Sequence, residues 1–220
     1  LTADVAHELR TPLSTLQGYI EAFSDRVWEP TKDRLLSCHE EIRRLTKLVE
    51  DLTSLAYYES DKLSLKKTRC NVKDIVKQVL VLFESGINEK QITISLDPGD
   101  AVVYADEDKI KQVIMNLLSN ANKYSSAGGS ITLRSRISDN FVVIEVEDTA
   151  ERIRDEQKAL LFKPYYRGEN HTAKPKALGI GLCLSICKTL VELHQGKIWI
   201  ENKNSRGNIF CFSLPIVNNN

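Results

Sequence analysis

The sequence lacks the features that mark secreted, membrane-embedded and nucleic-acid-binding proteins. Its five cysteines are an odd number without a CxxC pair, so neither a disulfide framework nor a zinc site is indicated. No apolar run approaches the roughly 18 residues of a membrane-spanning helix, and there is no signal-peptide pattern. Lys plus Arg and Asp plus Glu are 30 each, so no net charge attracts nucleic acid or anionic lipid. We therefore expect reduced, cytosolic thiols and no nucleic-acid partner.

Apolar residues are numerous enough for a sizeable core. Of the 220 residues, 42% are hydrophobic and 27% are charged, which is typical of a folded chain with one large domain or two modest ones. The first residue, Leu1, already lies within a helical pattern. We therefore expect the chain to be part of a longer protein, with any membrane anchor upstream.

The first 60 residues have helical periodicity. Apolar residues recur at steps of three and four in two segments, which predicts two amphipathic helices joined at residues 28–31. The two stripes are Val5, Leu9, Leu13, Leu16, Ile20 and Phe23, then Leu35, Cys38, Ile42, Leu45, Val49, Leu52 and Ala56. Pro12 predicts a bend in the first helix. Because Leu48 and Leu55 widen the second stripe, we expect the hairpin to pair with a second copy; the alternative is that it packs on the rest of the chain.

Helices and strands alternate after Asp61. The predicted helices are 72–83, 107–122, 155–162 and 178–193, and the predicted strands are 91–96, 102–104, 131–136, 141–147, 197–202 and 208–214. No βαβ unit is repeated, so a layered α/β sandwich is favoured over a parallel doubly wound sheet. The irregular segment from Thr149 to about Lys176 is long enough to predict a functional lid.

A histidine, a glutamate and a threonine stand together in the first helix. Histidine titrates near pH 6.5, so at neutral pH one ring nitrogen of His7 is available as a nucleophile. Glu8 supplies a carboxylate that can accept the ring proton, and Thr11 lies one turn further along the same face. Its hydroxyl can hold a water against a phosphoryl group. Taken alone, a histidine on a helix surface usually has no catalytic role.

Three polar residues share one face of the helix predicted around 107–122. Asn116, Asn120 and Lys123 are spaced by four and three residues. Amide oxygens can ligate Mg²⁺ and a lysine can neutralise a phosphate, so this spacing suits a metal-bound polyphosphate. The other interpretation is a plain solvated helix face.

Two glycines and an aspartate complete the candidates. Gly179 and Gly181 lead from the long loop into the last predicted helix, whose N-terminus carries about half a positive charge and can approach phosphates. Asp148 ends a strand, and its carboxylate can accept a hydrogen bond from an adenine amino group. Most aspartates at such positions only begin turns.

Together and in this order, these segments resemble the catalytic core of bacterial sensor histidine kinases over nearly the whole chain. The matching motifs are the H-box at 5–16 (VAHELRTPLSTL), the N-box at 112–125 (QVIMNLLSNANKYS), the F-box at 161–168 (LFKPYYRG) and the G2 region at 178–196 (LGIGLCLSICKTLVELHQG). The resemblance implies two domains. Residues 1–62 would be an all-α dimerisation and histidine phosphotransfer hairpin that forms a dimeric four-helix bundle. Residues 63–220 would be a catalytic ATP-binding domain, a two-layer α/β sandwich of the Bergerat type found in gyrase and Hsp90.

The resemblance also implies an activity. ATP bound with Mg²⁺ would donate its γ-phosphoryl group to His7, with Glu8 as the adjacent acid/base residue. The phosphoryl group would then pass to an aspartate on the receiver domain of a response regulator. Glu8 and Thr11 match the ExxT pattern that supports dephosphorylation of that regulator. The chain would be the cytoplasmic portion of a membrane-anchored bacterial sensor.

Individual site residues follow from the motif positions. Asn120 matches the Mg²⁺-ligating asparagine of the family. The other implied nucleotide contacts are Asn116, Lys123, Tyr124, Asp148, Arg167, Gly179, Gly181 and Leu182. The segment between 150 and 177 corresponds to the ATP lid, with Phe162 and Arg167 at the F-box positions. His194 falls in a structural stretch, and we expect it to pack rather than catalyse.

The sequence departs from the family at the G1 motif, DxGxG. Asp148 is retained, but Ala150 and Arg152 replace both glycines, and the GTG that opens G2 reads Ala177, Leu178, Gly179. Glycine is favoured where the backbone needs a positive φ or lies against a ligand. Two functions remain open: an ATP-dependent histidine kinase, or a degenerate core with weak nucleotide binding that acts mainly as a regulator phosphatase or dimeric scaffold.

Overall fold

The computed structural model describes residues 2–58, 64–84, 90–166, 181–203 and 206–217; for residues 2–5, 7, 8, 55, 58 and 84 it describes the backbone. The helices are α1 (Thr2–Ser24), α2 (Lys32–Tyr58), α3 (Val72–Glu84), α4 (Glu107–Tyr124), α5 (Asp155–Lys158) and α6 (Cys183–Leu193), with a short 3₁₀ helix at Leu160–Phe162. The strands are β1 (Thr68–Asn71), β2 (Thr93–Pro98), β3 (Val102–Ala105), β4 (Ser130–Ser138), β5 (Phe141–Glu147), β6 (Ile198–Asn202) and β7 (Asn208–Pro215). No helix in these ranges is both long and apolar enough to cross a membrane.

The first two helices form the predicted hairpin, and aromatic rings close its turn. The Tyr19 ring lies 6.1 Å from the Phe23 ring and 5.6 Å from the Trp28 ring. The Arg34 guanidinium stands 4.9 Å from the centre of the Trp28 ring and donates a hydrogen bond to the Glu29 carbonyl at 3.0 Å. These contacts fix the direction in which α2 returns along α1.

The apolar stripe of α2 is divided between two surroundings. Leu48 is buried and Leu52 packs beside it against the core of the C-terminal domain, as the alternative interpretation of the stripe predicts. In contrast, Leu35, Ile42 and Val49 are 50%, 51% and 53% exposed in the single chain. Leu48 and Leu52 are therefore covered within the chain, whereas Leu35, Ile42 and Val49 are open to solvent.

The C-terminal domain is the layered α/β sandwich that the sequence predicts. Its five-stranded sheet has the order β2-β4-β5-β7-β6, with β2 parallel to β4 and every other pair antiparallel. A second sheet pairs β1 with β3. Helices α3, α4 and α6 contact the five-stranded sheet. Val113, Leu117 and Ala121, on the apolar face of α4, are completely buried.

One predicted strand is shifted by two residues along the chain, and another strand is missing from the prediction. β2 begins two residues late, because Gln91 has a φ of 52° that extended backbone does not adopt. It continues to Pro98, which an edge strand tolerates because the missing N–H faces no neighbour. β1 is not predicted at all: it has four residues without apolar alternation, and it pairs with β3 in the register Cys70↔Val103.

The predicted helix boundaries need two corrections. Gly181 has a φ of 73°, which an α-helix cannot include, so α6 begins at Cys183 and not at Leu178. The helix predicted at 155–162 is two pieces that meet at Ala159. Pro12 lies inside α1, which is one continuous helix from Thr2 to Ser24.

All five cysteines are free, as the sequence predicts. Cys70, Cys187 and Cys211 are buried, and Cys38 and Cys183 are partly exposed. Burial raises the pKa of Cys187 and raises that of Cys211 to about 12. These thiols are therefore protonated and serve as small core residues.

His194 fastens the end of α6 to the start of α4. The ring is 3% exposed, its Nδ1–H donates to the Leu190 carbonyl at 2.7 Å, and its Nε2 accepts from the Asp106 N–H at 3.0 Å. Asp106 is the N-cap of α4, and its carboxylate accepts from the Lys109 N–H. Burial lowers the pKa of His194, so the neutral ring is the folded form. His194 packs, as predicted.

Replacing His194 by Ala is expected to lower the free energy of unfolding by about 2–4 kcal/mol at pH 8, because it leaves a cavity and two unpaired backbone groups. The folded pKa lies below the unfolded value of about 6.5. The unfolded chain therefore takes up a proton first as the pH falls, and this part of the wild-type stability is lost below about pH 6.5. In urea unfolding, the difference in the free energy of unfolding between wild type and variant should be smaller at pH 5.5 than at pH 8. A difference independent of pH would contradict this role.

Candidate functional site

The polar face of α4 lies beside α6. Asn116, Asn120 and Lys123 are all half-buried. The Asn116 side chain hydrogen-bonds with the buried thiol of Cys187, and the charge of Lys123 acts on Cys183 one turn earlier in α6. Asn120 stands one helical turn after Asn116 on the same face. The two amides and the ammonium predicted to act together therefore share one surface next to the start of α6.

The C-terminal end of α4 is held by a lysine that lies shortly before β2. Lys90 Nζ donates to the carbonyls of Asn122 and Lys123 at 2.8 Å each and to that of Ser125 at 3.3 Å. A cation at this position also complements the negative end of the helix dipole. The Lys123 ammonium lies 5.2 Å from the centre of the Tyr124 ring. Tyr124, a predicted nucleotide contact, is thus fixed at the exposed end of α4.

Gly181 joins the start of α6 to the end of the F-box. The Tyr165 N–H donates to the Gly181 carbonyl at 3.2 Å. A Cβ at position 181 would lie 2.5 Å from the Tyr166 carbonyl oxygen, so both the space and the φ of 73° require glycine. The chain before and after residues 167–180 therefore meets at Gly181. Leu182 is buried in the core, where it precedes the first residue of α6.

Some predicted site residues lie outside the described residues. These are Arg167 and Gly179, together with the side chains of His7 and Glu8, whose backbone belongs to α1. Phe162, at an F-box position, is buried in the core.

Asp148 is engaged by the protein itself. The residue is 2% exposed, and its Oδ1 accepts hydrogen bonds from the Ala150 N–H at 3.0 Å, the Asn208 N–H at 3.0 Å and the Asn208 side-chain amide at 3.1 Å. Burial raises the pKa of Asp148, and these hydrogen bonds oppose the shift. The carboxylate predicted to receive an adenine therefore also holds the segment that follows it.

The altered G1 segment does not need glycine for its backbone. Neither Ala150 nor Arg152 has a positive φ. The Arg152 side chain is half exposed, and its guanidinium lies 3.7 Å from the Asp155 carboxylate. The long side chain thus points along the surface towards α5. The two glycine losses leave the path of this segment unstrained.

The segment after Asp148 also approaches the C-terminal end of α4. Thr149 Oγ1 accepts a hydrogen bond from the Ser130 N–H at 3.0 Å. Arg206, which precedes β7, donates to Ser126 Oγ at 3.4 Å. Thr149 and Arg206 therefore both contact residues that follow α4.

The helical hairpin packs on the start of α6, the helix that lies beside α4. Asp51 of α2 is buried, Lys47 Nζ lies 2.9 Å from its Oδ1, and the Cys183 thiol donates to its Oδ2 at 3.9 Å. Burial and the charge of Asp51 raise the pKa of Cys183, so the thiol remains a donor. Leu9 of α1 packs against the same core as Leu48 of α2. The α1 segment that carries the H-box is thus joined to the domain that carries the N-box.

On α1 itself, Thr11 is exposed, one helical turn after His7. Its carbonyl accepts a hydrogen bond from the Thr15 hydroxyl at 3.1 Å.

Two family descriptions match the chain. Residues 105–218 match the histidine kinase-, DNA gyrase B- and HSP90-like ATPase family. Residues 1–61 match the His Kinase A (phospho-acceptor) domain. The two matches follow each other in the order of the hairpin and the sandwich.

Similar proteins are histidine kinases. The chain is 31% identical to the signal transduction histidine-protein kinase BaeS of Escherichia coli over 97% of its own length, and it spans 46% of that protein. It is similar to the solved histidine kinase AdeS of Acinetobacter baumannii, with 29% identity, a TM-score of 0.80, and coverage of 96% of this chain and 98% of that one. It is also similar to the histidine kinase ThkA, solved in complex with the response regulator protein TrrA, with 29% identity, a TM-score of 0.82, and coverage of 98% and 61%.

The ATPase family covers half of the chain, and its fold is the mixed five-stranded sandwich described above. The phosphoacceptor family covers the helical hairpin. The chain therefore belongs to the bacterial sensor histidine kinases, and it comprises their catalytic core, a helical phosphoacceptor region followed by an α/β ATPase domain.

Proposed function

We propose that the chain is an ATP-dependent protein-histidine kinase that phosphorylates His7 and passes the phosphoryl group to an aspartate on a response regulator receiver domain. One observation carries the proposal: α2 packs on the first residue of α6 through Asp51 and Cys183. This contact attaches the hairpin that bears His7 beside the amide and lysine face of α4. The relative ThkA was solved with a response regulator, which supports a partner of that kind.

The chemistry proposed for the H-box uses the neutral form of His7. Its unprotonated ring nitrogen forms a bond to the γ-phosphorus of ATP while the bond from that phosphorus to the ADP oxygen breaks, and ADP leaves. Glu8 takes up the proton from the other ring nitrogen. Lys123 and the N-terminus of α6 stabilise the negative charge of the phosphates.

The nucleotide would be held by the residues predicted from the motifs. They are Asn116, Asn120, Lys123, Tyr124, Asp148, Arg167, Gly179, Gly181 and Leu182. Magnesium fits the same face, because an amide oxygen is a suitable ligand and Mg²⁺ takes most of its ligands from phosphates and water. The described part of the chain has no cluster of three or more His, Cys, Asp or Glu that could hold a metal alone. Asn120 would bind the ion, which neutralises phosphate charge.

We propose that residues 1–62 dimerise and that residues 63–220 bind ATP. The half-exposed side chains of Leu35, Ile42 and Val49, with Leu13 and Ile20 of α1, form the apolar surface that a second copy would cover. A pair of such hairpins makes a four-helix bundle. Sedimentation analysis should give twice the chain mass of 24.9 kDa.

The alternative, a degenerate core that binds nucleotide weakly, receives less support. It depends on the lost G1 glycines, yet Ala150 and Arg152 adopt ordinary backbone angles and Arg152 turns towards Asp155. Dephosphorylation of the regulator would run through Thr11, exposed one turn after His7. It would be an activity of the same hairpin alongside the kinase reaction.

Labelled ATP tests the proposal. The purified chain with Mg²⁺ and γ-³²P-ATP is expected to take up label that is stable in base and lost in acid, with half-saturation between about 1 μM and 1 mM ATP. The matched control is α-³²P-ATP, which should leave no label on the protein, because only the γ-phosphoryl group is transferred. A folded dimer that takes up no γ-label at millimolar ATP would refute the kinase activity.

A further inference from the structure

Asn208, the first residue of β7, bridges the altered G1 segment. It is 1% exposed, and its side-chain Nδ2 donates to Asp148 Oδ1 at 3.1 Å and to the Glu151 carbonyl at 3.0 Å. Its Oδ1 accepts from the Ile153 N–H at 2.8 Å. One side chain thus binds the beginning, the middle and the end of the segment 148–153. Both amide hydrogens and the amide oxygen are used for this purpose.

The backbone of Asn208 holds the same segment. Its N–H donates to Asp148 Oδ1 at 3.0 Å, and its carbonyl accepts from the Asp148 N–H at 2.9 Å. Asn202 pairs with Asn208 across β6 and β7 and donates to the Ile153 carbonyl at 3.0 Å. Two facing asparagines from one strand pair therefore fix the whole turn that leaves β5.

Glycine is required beside the segment, at Gly207 just before β7, and not within the segment itself. Gly207 has a φ of 99°, and a Cβ there would lie 2.3 Å from the Asp148 carbonyl oxygen. The segment itself has no left-handed residue between Asp148 and Arg154. Its path is thus set by the hydrogen bonds of Asn208 and by close approach of Gly207, and not by conformational freedom of its own residues. Asparagine is depleted in strands, so its place at the start of β7 is not explained by the sheet.

We infer that Asn208 is a positioning residue for the nucleotide. It orients Asp148 and the segment 148–153 towards the base of ATP, and thereby allows Ala150 and Arg152 to stand where the family has glycines. This role rests on the proposed ATP binding. Asn208 acts through Asp148 and the segment, and it takes no part in the transfer to His7.

The test variant is Asn208→Ala. Loss of three hydrogen bonds in a buried site is expected to weaken ATP binding, measured by calorimetry, about tenfold or more. The labelling rate at saturating ATP should stay within about threefold, because the catalytic groups are intact. In hydrogen exchange, the protection factors of the Ile153 and Ala150 amides should fall by at least about tenfold, while those of amides in the middle of β5 stay unchanged.

Two controls separate positioning from stability. Asn71→Ala removes hydrogen bonds of the same kind in the two-stranded sheet, to the Asp100 carboxylate at 2.6 Å and from the Lys73 N–H at 2.8 Å. It should leave the affinity for ATP unchanged. Arg152→Gly restores one family glycine and should change the affinity by less than about threefold, because that side chain points away along the surface.

If Asn208→Ala does not fold, Asn208→Ser takes its place. Its hydroxyl can still donate to Asp148 but cannot also reach Glu151 and Ile153, so the affinity should fall between those of wild type and the Ala variant. Wild-type affinity in a folded variant at position 208, or a gain above about tenfold in Arg152→Gly, would overturn the inference. Wild-type protein that binds no ATP would overturn the proposed function instead.

Discussion

Replacing His7 by Gln is expected to abolish phosphorylation of the chain, with a loss of at least about 1,000-fold in the initial rate of labelling. A glutamine amide has a similar size and fits a helix, but its nitrogen is not a nucleophile. Because His7 lies on α1, outside the sandwich that would bind ATP, the affinity for ATP should be unchanged. Labelling with γ-³²P-ATP and calorimetry on the same preparations measure both quantities.

The chain offers a matched control for this variant. His39 is exposed on α2, the other helix of the same hairpin. His39→Gln removes an imidazole from the same domain and should keep more than about half of the labelling rate. Label that persists in His7→Gln would place the phosphoacceptor elsewhere. Equal loss in both variants would mean that the hairpin, and not one nucleophile, had been damaged.

The sequence predicts the elements whose periodicity is long and regular. The two stripes before residue 60 give the hairpin, and the apolar face of α4 at Val113, Leu117 and Ala121 is buried as expected. The α/β sandwich follows from alternating helices and strands without a βαβ repeat. Errors occur at Gln91 and Gly181, where a single positive φ determines where a strand or helix begins. They also occur where a strand such as β1 is too short to show a pattern of apolar residues. Local patterns carry little information about such positions.

The site is predictable only as far as its motifs extend. Asn116, Asn120 and Lys123 share a helix face because they are spaced by four and three residues, and this follows from helix geometry. Lys90 and Asn208 are invisible to the same reasoning. They act on groups more than thirty residues away, Lys90 on carbonyls at the end of α4 and Asn208 on the segment after Asp148. Such partners become apparent only when the fold brings them together.

One feature of the sequence does point to a special role for Asn208. This residue follows Gly207 at the start of a predicted strand, where a polar amide is unfavourable unless it has buried partners. The loss of the G1 glycines and the presence of this amide are separate features in the sequence. The structure connects them, because the amide binds the segment that lost the glycines.

Replacing Gly181 by Ala is expected to destabilise the sandwich through both its backbone angle and a close contact. In Gly181→Ala, the new methyl group meets the Tyr166 carbonyl oxygen at 2.5 Å, and the backbone must keep a φ of 73°. The left-handed conformation costs about 1–2 kcal/mol for a non-glycine residue, and the overlap adds about 1–3 kcal/mol. Because Gly181 joins the start of α6 to the F-box, ATP affinity should also fall by about tenfold or more.

Gly128→Ala separates the two costs of that substitution. Gly128 has a φ of 72°, almost the same as that of Gly181, but a Cβ there meets nothing within 4 Å. The control should therefore lose only the conformational part, about 1–2 kcal/mol, and keep its affinity for ATP. Urea unfolding and calorimetry on both variants measure the difference. Equal losses of stability would show that the contact between Gly181 and Tyr166 is not close in solution, and the F-box would then be free of the start of α6.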